Sequence, residues 1–291
     1  MRRILILMAT YNGGKFIEPQ LESILSQKNV DLEILISDDC STDQTLDSIN
    51  KHFGSKKIKL ISTSQRFGSP SSNFFHLVEH ASLDSFDYVS FSDQDDIWFD
   101  DKLYAAINEL EDLKYDGYSS DVIAYWDETK KKKLIKKSFP QQEHDHWFES
   151  PGPGCTHVLS VKSFRLFQEF VIKNKKFLGN INFIDWLIYA FYRHNNLKWI
   201  ISDEPKMFYR QHEKNDFGAN HNFLTKYSRF KKIMNNWYMK QITASYELVT
   251  KRKFNQFIKT GELLLKPLSL RRKKFESLVV WLLLFLGMFR N

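Results

Sequence analysis

The stretch Arg2-Arg3-Ile4-Leu5-Ile6-Leu7-Met8-Ala9-Thr10-Tyr11-Asn12-Gly13-Gly14 decides the fold. Its basic start and apolar middle imitate a signal peptide. The apolar run covers only Ile4–Ala9, however, and leads straight into a polar, glycine-bearing turn. A buried strand followed by a turn is the better reading. The run is apolar at successive positions, which suits a parallel strand covered on both faces. Outward from it the pattern repeats. Ile17, Leu21, Ile24 and Leu25 recur at helical spacing within residues 15–27, with Pro19 in the first turns, where proline is tolerated. Glu33–Ser37 reads as a second strand. Ser41-Thr42-Asp43-Gln44 has capping-box form and opens a helix to about Phe53. Ile58–Ser62 reads as a third strand, residues 71–83 as a helix, and Tyr88–Ser92 as a fourth strand. This alternation predicts an α/β fold with a mostly parallel, doubly wound sheet flanked by helices. Ligands of such sheets bind beyond the carboxyl ends of the strands. Thr10-Tyr11-Asn12, Asp38-Asp39 and Asp93-Gln94-Asp95-Asp96 all fall there.

Further along, the alternation weakens. Val122–Trp126 and Lys198–Ser202 read as strands, Pro151-Gly152-Pro153-Gly154 as a forced turn, and the chain from Phe223 onward as helical. Residues 130–137 hold six lysines in eight positions. A solvated hairpin or mobile loop is expected there; a patch for an acidic acceptor or a membrane surface is the sharper alternative. An apolar content of 42% and a charged content of 26% over 291 residues exclude disorder of the whole chain. The two cysteines, Cys40 and Cys155, form no CxxC pair, which argues against a disulfide scaffold and a cysteine-built zinc site and makes a reducing cytosol the default.

The net charge of +7 is unevenly spread. Residues 221–291 carry 15 Lys and Arg against 3 Glu, while residues 1–220 have a balance of −5. Nucleic acid or an anionic membrane surface would each suit a basic tail. The tail also holds the uncharged run Leu278–Phe289 behind Arg271-Arg272-Lys273-Lys274. Twelve residues are too few to span a bilayer, which takes roughly 20. An in-plane, peripheral membrane segment is the expectation, and nucleic acid is not. The alternative is a C-terminal helix packed on the domain or on a second subunit. The chain is expected to divide into an α/β domain at 1–220 and a helical, basic extension at 221–291. Nothing in the sequence specifies an oligomeric state.

Asp93, Asp95 and Asp96 crowd three like charges at a strand end, which raises the free energy of the fold unless a cation or solvent compensates. A hard divalent ion with oxygen ligands is the natural compensator, and it completes its shell with substrate phosphates. Acids in loops also serve as helix starts, and Asp96 is read as a cap of the following helix.

Ala9-Thr10-Tyr11-Asn12-Gly13-Gly14, Ile36-Ser37-Asp38-Asp39-Cys40-Ser41-Thr42-Asp43 and Phe91-Ser92-Asp93-Gln94-Asp95-Asp96-Ile97-Trp98 follow strands in order. Together they resemble the family 2 glycosyltransferases of GT-A, Rossmann-like fold. Gly154-Cys155-Thr156 and Asp185-Trp186 extend the likeness to the family, and Tyr209-Arg210-Gln211-His212 resembles a motif of its bacterial rhamnosyltransferase-like branch, so that the likeness covers about residues 1–220. Two positions depart from that branch: Ile184 stands where histidine is common, and Glu213-Lys214 replace small or polar residues.

The resemblance implies roles. Thr10, Tyr11, Asn12, Asp38, Asp39, Arg66, Asp93 and Gln94 would bind the donor nucleotide. Asp38 or Asp39 would accept the pyrimidine imide N–H, as an ionised carboxylate can. Asp93, Asp95 and His212 would hold Mn²⁺ or Mg²⁺, and Arg210 would meet the diphosphate or form a structural ion pair. Gly154, Cys155, Thr156 and Trp186 would line the sugar and acceptor pocket, with Asp185 as catalytic base. Its apolar surroundings would raise its pKa toward a useful value. The implied reaction is inverting, metal-dependent transfer from a dTDP-sugar, with dTDP-rhamnose favoured, to a glycan or lipid-diphosphate-linked acceptor of cell-surface glycan synthesis at the inner face of the membrane. UDP-hexose is the runner-up donor. A non-catalytic member that binds sugar nucleotide or scaffolds a synthase complex is the alternative class.

Overall fold

The computed structural model describes residues 1–52, 57–61, 63, 65–212, 237–259 and 261–286. The end of the helix expected to reach Phe53, Ser62, Glu213-Lys214, the boundary near residue 220, the start of the helical tail at Phe223 and the last residues of the apolar run lie outside them.

The first half follows the alternation read from the sequence. Strands β1 (Arg2–Thr10), β2 (Val30–Asp38), β3 (Ile58–Ile61) and β4 (Tyr88–Ser92) alternate with helices α1 (Ile17–Leu25), α2 (Thr45–His52) and α3 (Pro70–His80). Strand β5 (Ile97–Trp98) and helix α4 (Lys102–Leu113) follow. Then come β6 (Gly117–Ser120), β7 (Val122–Trp126), β8 (Lys131–Ile135), the short helix α5 (Asp145–Phe148), β9 (Val158–Ser160), α6 (Val161–Lys173), α7 (Ile184–His194), β10 (Trp199–Ser202) and β11 (Met207–Arg210).

Seven strands form the main sheet in the order β10-β6-β9-β4-β1-β2-β3, parallel apart from β9, which runs antiparallel to both β4 and β6. Strand β1 shows why the sheet is buried on both faces. Its side chains alternate: Leu5 and Leu7 join a core with α3, α6 and α7, while Ile4, Ile6 and Met8 join a core with α1 and α4. Each fully buried side chain of this size contributes about 1.5–3 kcal/mol.

A second sheet, β5-β11-β7-β8, was not legible as such. The lysine-rich run forms its edge as β8, a solvated hairpin arm antiparallel to β7. The pairing of β5 with β11 sets Trp98 against Met207 and Ile97 against Phe208. It brings the end of β11 back onto the acidic turn after β4.

The tail helices Trp237–Thr250, Phe254–Lys259, Glu262–Leu265 and Lys274–Phe285 share a core with the α/β part of the chain. Trp147, Phe148, Trp186 and Ala190 pack there with Tyr238, Ile242, Phe254, Leu263 and Leu284. The basic cluster behaves differently from the expectation. Arg271 and Arg272 do not face outward: they pair with Glu149, and Arg272 also pairs with the buried Asp145. Arg193 meets the other oxygen of Asp145, Oδ1, at 3.0 Å, and the Tyr189 hydroxyl donates to Oδ2 at 3.0 Å. Breaking a buried ion pair of this kind typically costs about 3–5 kcal/mol, because the remaining charge is left uncompensated. Lys273 and Lys274 are the exposed members of the cluster.

Candidate active site

Three turns at the carboxyl ends of β1, β2 and β4 build one floor. Asp38 ends β2 and spends its carboxylate on neighbours: Thr10 Oγ1 donates at 2.7 Å, Ser41 Oγ at 2.6 Å and Ser41 N at 2.7 Å. Asn12, held at a positive φ of 46°, donates its N–H to Ser41 Oγ and accepts from Thr42 N, each at 2.8 Å. Gly13 N donates to Thr45 Oγ1 and Gly14 N to Asp43. The expected capping box is therefore not formed. Ser41 and Asp43 anchor the first turn instead, and α2 begins only at Thr45. Asp39 accepts from the backbone N–H groups of Phe67 and Gly68. A carboxylate has about four acceptor positions, so Asp39 keeps capacity for an imide N–H. Tyr11 is open to solvent, with the Arg66 guanidinium 4.4 Å above its ring. That face is a platform of the kind a planar base stacks on.

Gln94, expected at the nucleotide, clasps the first turn: its amide accepts from Tyr11 N at 2.9 Å and donates to Tyr11 O at 3.0 Å. This clasp leaves no room for a side chain at Gly13, where a Cβ would lie 2.2 Å from Gln94 Oε1. Gly13→Ala should therefore break both bonds to Tyr11 and cost about 2 kcal/mol of stability, read as a lowered denaturant midpoint.

The acidic turn is completed from β11. His212 Nε2 lies 2.7 Å from Asp95 Oδ2, and the imidazole stacks on Phe16 at 4.7 Å. Arg210 is largely enclosed. Its guanidinium pairs with Asp127 and donates to Asp95 O at 2.8 Å, while its N–H donates to Asp96 Oδ1 at 3.3 Å. The structure thus uses Arg210 to hold the acidic turn to β7, in the ion-pair role. Asp96 does not cap a helix. It is fully buried, and ligand atoms of Asp93, Asp96 and Cys155 lie within 4.8 Å of one another. Burial and the carboxylates of Asp95 and Asp93 push the Asp96 carboxyl well above its ordinary range. Behind it the Lys102 ammonium sits 3.5 Å over the Trp98 ring and is pulled down to about 7 by burial.

These donors suit a divalent cation. Asp93 and Asp95 are only half-buried, the His212 imidazole is within reach of Asp95, and Asp96 Oδ2 is buried without a nitrogen or oxygen partner. Carboxylate oxygens with one imidazole favour manganese over magnesium.

Asp185 stands in the first turn of α7, two residues after the helix N-cap Phe183. It is half-buried, and burial pushes its carboxyl up to about 6, against opposing hydrogen bonds from Trp186 N–H and the Ser150 hydroxyl and the charge of Lys137. The small-residue turn lies directly against it: a Cβ on Gly154 would be 3.4 Å from Asp185 Cβ. The next residue, Cys155, belongs to the Asp93–Asp96 cluster. Two consecutive residues of one short helical turn thus touch the aspartate and the acidic site. Thr156 is buried and bonds Pro153 O through its hydroxyl at 2.7 Å. Trp186 does not line a pocket. It is buried between α7 and the tail, with Nε1 donating to His146 O at 3.0 Å. Sequence reading missed Phe16, Asp127, Lys137 and Ser150. Only Ser150 carried a local signal, as the residue before the Pro-Gly-Pro-Gly turn.

The model of Glycosyl transferase family 2 matches residues 5–171. Over 290 residues the chain is 40% identical to the dTDP-rhamnosyl transferase RfbG of Shigella flexneri, covering 97% of this chain and 100% of that protein. It is 32% identical over 114 residues to the UDP-Glc:alpha-D-GlcNAc-diphosphoundecaprenol beta-1,3-glucosyltransferase WfaP of Escherichia coli, covering 39% of this chain and 43% of that one. Among solved structures, S. aureus TarS 1-349 aligns with a TM-score of 0.57 at 15% identity, over 99% of this chain and 90% of that one. The mannosyltransferase PcManGT from Pyrobaculum calidifontis, in complex with GDP-Man and Mn2+, aligns with a TM-score of 0.53 at 15% identity, over 99% and 87%.

Proposed function

This chain belongs to glycosyl transferase family 2 and is a glycosyltransferase, and from that premise we propose that it moves rhamnose from dTDP-rhamnose to a hydroxyl of a lipid-diphosphate-linked or polysaccharide acceptor, with inversion. The observation that carries the transfer chemistry is the 154–155 turn, which touches Asp185 on one side and the acidic cluster on the other. The rhamnosyl donor is supported by the likeness to RfbG, which spans nearly the whole chain.

In this reading the nucleotide lies over Tyr11 and Arg66, with its imide N–H toward Asp39. Asp93, Asp95 and His212 hold a divalent cation, which when bound stabilises negative charge on the leaving diphosphate. Asp185 takes the acceptor's hydroxyl proton as that oxygen attacks the anomeric carbon, and dTDP departs from the opposite face. A carboxyl near pKa 6 is well placed for this work at neutral pH: it is mostly ionised, yet basic enough to accept a proton. A donor screen with the purified chain and a lipid-diphosphate acceptor mimic tests the reading. Consumption of dTDP-rhamnose is expected. Consumption of UDP-glucose alone would replace the donor.

The extension beyond about residue 220 is proposed to hold the enzyme on the inner face of the membrane. Among the described residues no helix is long and apolar enough to cross a membrane. Helix Lys274–Phe285 nevertheless presents two apolar faces. Val280 and Leu284 are buried against the core, while Phe275, Leu278, Val279, Leu282, Phe285 and Leu286 face outward. Exposed Lys273 and Lys274 at its start match an anionic lipid surface. Sedimentation with anionic phospholipid vesicles is expected, and Leu282→Glu with Phe285→Glu should abolish it. A wild-type chain that stays in the supernatant as a dimer, and becomes monomeric on these substitutions, would assign the face to a second copy.

A further inference from the structure

The Arg272 side chain is 1% exposed and reaches from the tail into the catalytic domain. Nη1 lies 3.3 Å from Asp145 Oδ2, and Nη2 lies 3.2 Å from Glu149 Oε2. Nη2 also donates to Ser150 O at 2.6 Å, and the Arg272 N–H donates to Glu149 Oε1 at 2.5 Å. One tail residue thus ties both ends of the segment 145–150. That segment runs into Pro151-Gly152-Pro153-Gly154. There Gly154 lies against Asp185, and the Ser150 hydroxyl, which donates to Gly152 O at 3.2 Å, lies near enough to Asp185 to favour its ionised form.

We propose that Arg272 is a positioning residue for the transfer reaction: by fixing Glu149 and the Ser150 carbonyl, it sets the loop that orients the Asp185 carboxylate.

Charge balance alone does not account for this guanidinium. Asp145 is already met by Arg193 at 3.0 Å, and Glu149 by Arg271 at 3.4 Å. What Arg272 adds is the bond to the Ser150 carbonyl, in a planar fork that spans two carboxylates and a backbone oxygen at once. An ammonium cannot reproduce that geometry. The tail is then part of the catalytic unit as well as a candidate membrane contact, and its role at Arg272 is independent of the outward apolar face.

The inference deepens the assignment of Asp185 as base, so its test is built to separate the two. Aspartate ¹³C-carboxyl NMR follows the Asp185 titration, with the signal assigned by its loss in Asp185→Asn. The Ser150 hydroxyl stabilises the ionised form, so its loss raises the carboxyl's pKa. Ser150→Ala should move the Asp185 titration up by about one pH unit. Arg272→Lys should move it in the same direction, with kcat for dTDP-rhamnose consumption reduced about tenfold, donor KM unchanged, and part of the rate regained at higher pH. Should Arg272→Lys fail to fold, Glu149→Gln releases the same loop and is expected to behave alike. An Asp185 titration identical to wild type in whichever of these two folds would overturn the proposal. The titration needs no substrate. Full turnover by Asp185→Asn would remove the base assignment, while the NMR still reports whether Arg272 sets that carboxyl.

Discussion

Asp185→Asn slows sugar transfer by about 10²–10⁴-fold and leaves nucleotide affinity as it was. The asparagine keeps the shape that Gly154 packs against but cannot take a proton. The floor built from the turns after β1, β2 and β4, where the nucleotide is proposed to lie, makes no hydrogen bond to Asp185 among the described residues. The contrast between lost turnover and intact dTDP binding by calorimetry is therefore the readout, and unchanged turnover would take Asp185 out of the base role. The pH profile gives the same group a second test. Burial pushes the carboxyl up to about 6, and only the ionised form accepts a proton, so kcat should fall as pH drops through about 6 and level off above it. In Asp185→Asn the residual rate should lose this limb.

Asp95→Ala weakens metal-dependent binding of dTDP by about 10–100-fold, the second large effect. Asp95 is half-buried and 2.7 Å from His212, so the substitution removes a ligand and frees the imidazole at the same time. His212→Ala should cause a loss of similar kind, with the double variant little worse than either single one, because neighbours in one site are not additive. Manganese should support tighter dTDP binding than magnesium in the wild type, and His212→Ala should narrow that difference. A wild-type manganese titration in Asp95→Ala would contradict the ligand assignment.

The parts of the fold that the sequence made legible are those whose cause is local. β1 is apolar from Ile4 to Ala9 because both faces of the sheet are covered there, β2 and β4 carry shorter apolar stretches, and the strand-end residues followed from these. The second sheet was hidden because β5 has two residues and its partner β11 lies more than a hundred positions away. Several polar residues were read for their nearest neighbours when distant ones claim them. Ser41 and Asp43 look like a helix cap, yet they bind the turn after β1. Gln94 reads as a ligand contact, and its hold on Tyr11 cannot be seen from its neighbours. Arg271 and Arg272 look like a surface patch because composition records their charge and not the buried acids that meet it. Trp186 stands beside Asp185 in sequence but turns inward, as a large aromatic at a helix–helix contact does.

The β5–β11 pairing also bears on biosynthesis. Asp95 and His212 are 117 residues apart, and the short strands that join them cannot pair until both have left the ribosome. Through most of translation, then, the turn after β4 carries its three aspartates without His212 beside them. The acidic turn therefore gains its imidazole neighbour only late in synthesis.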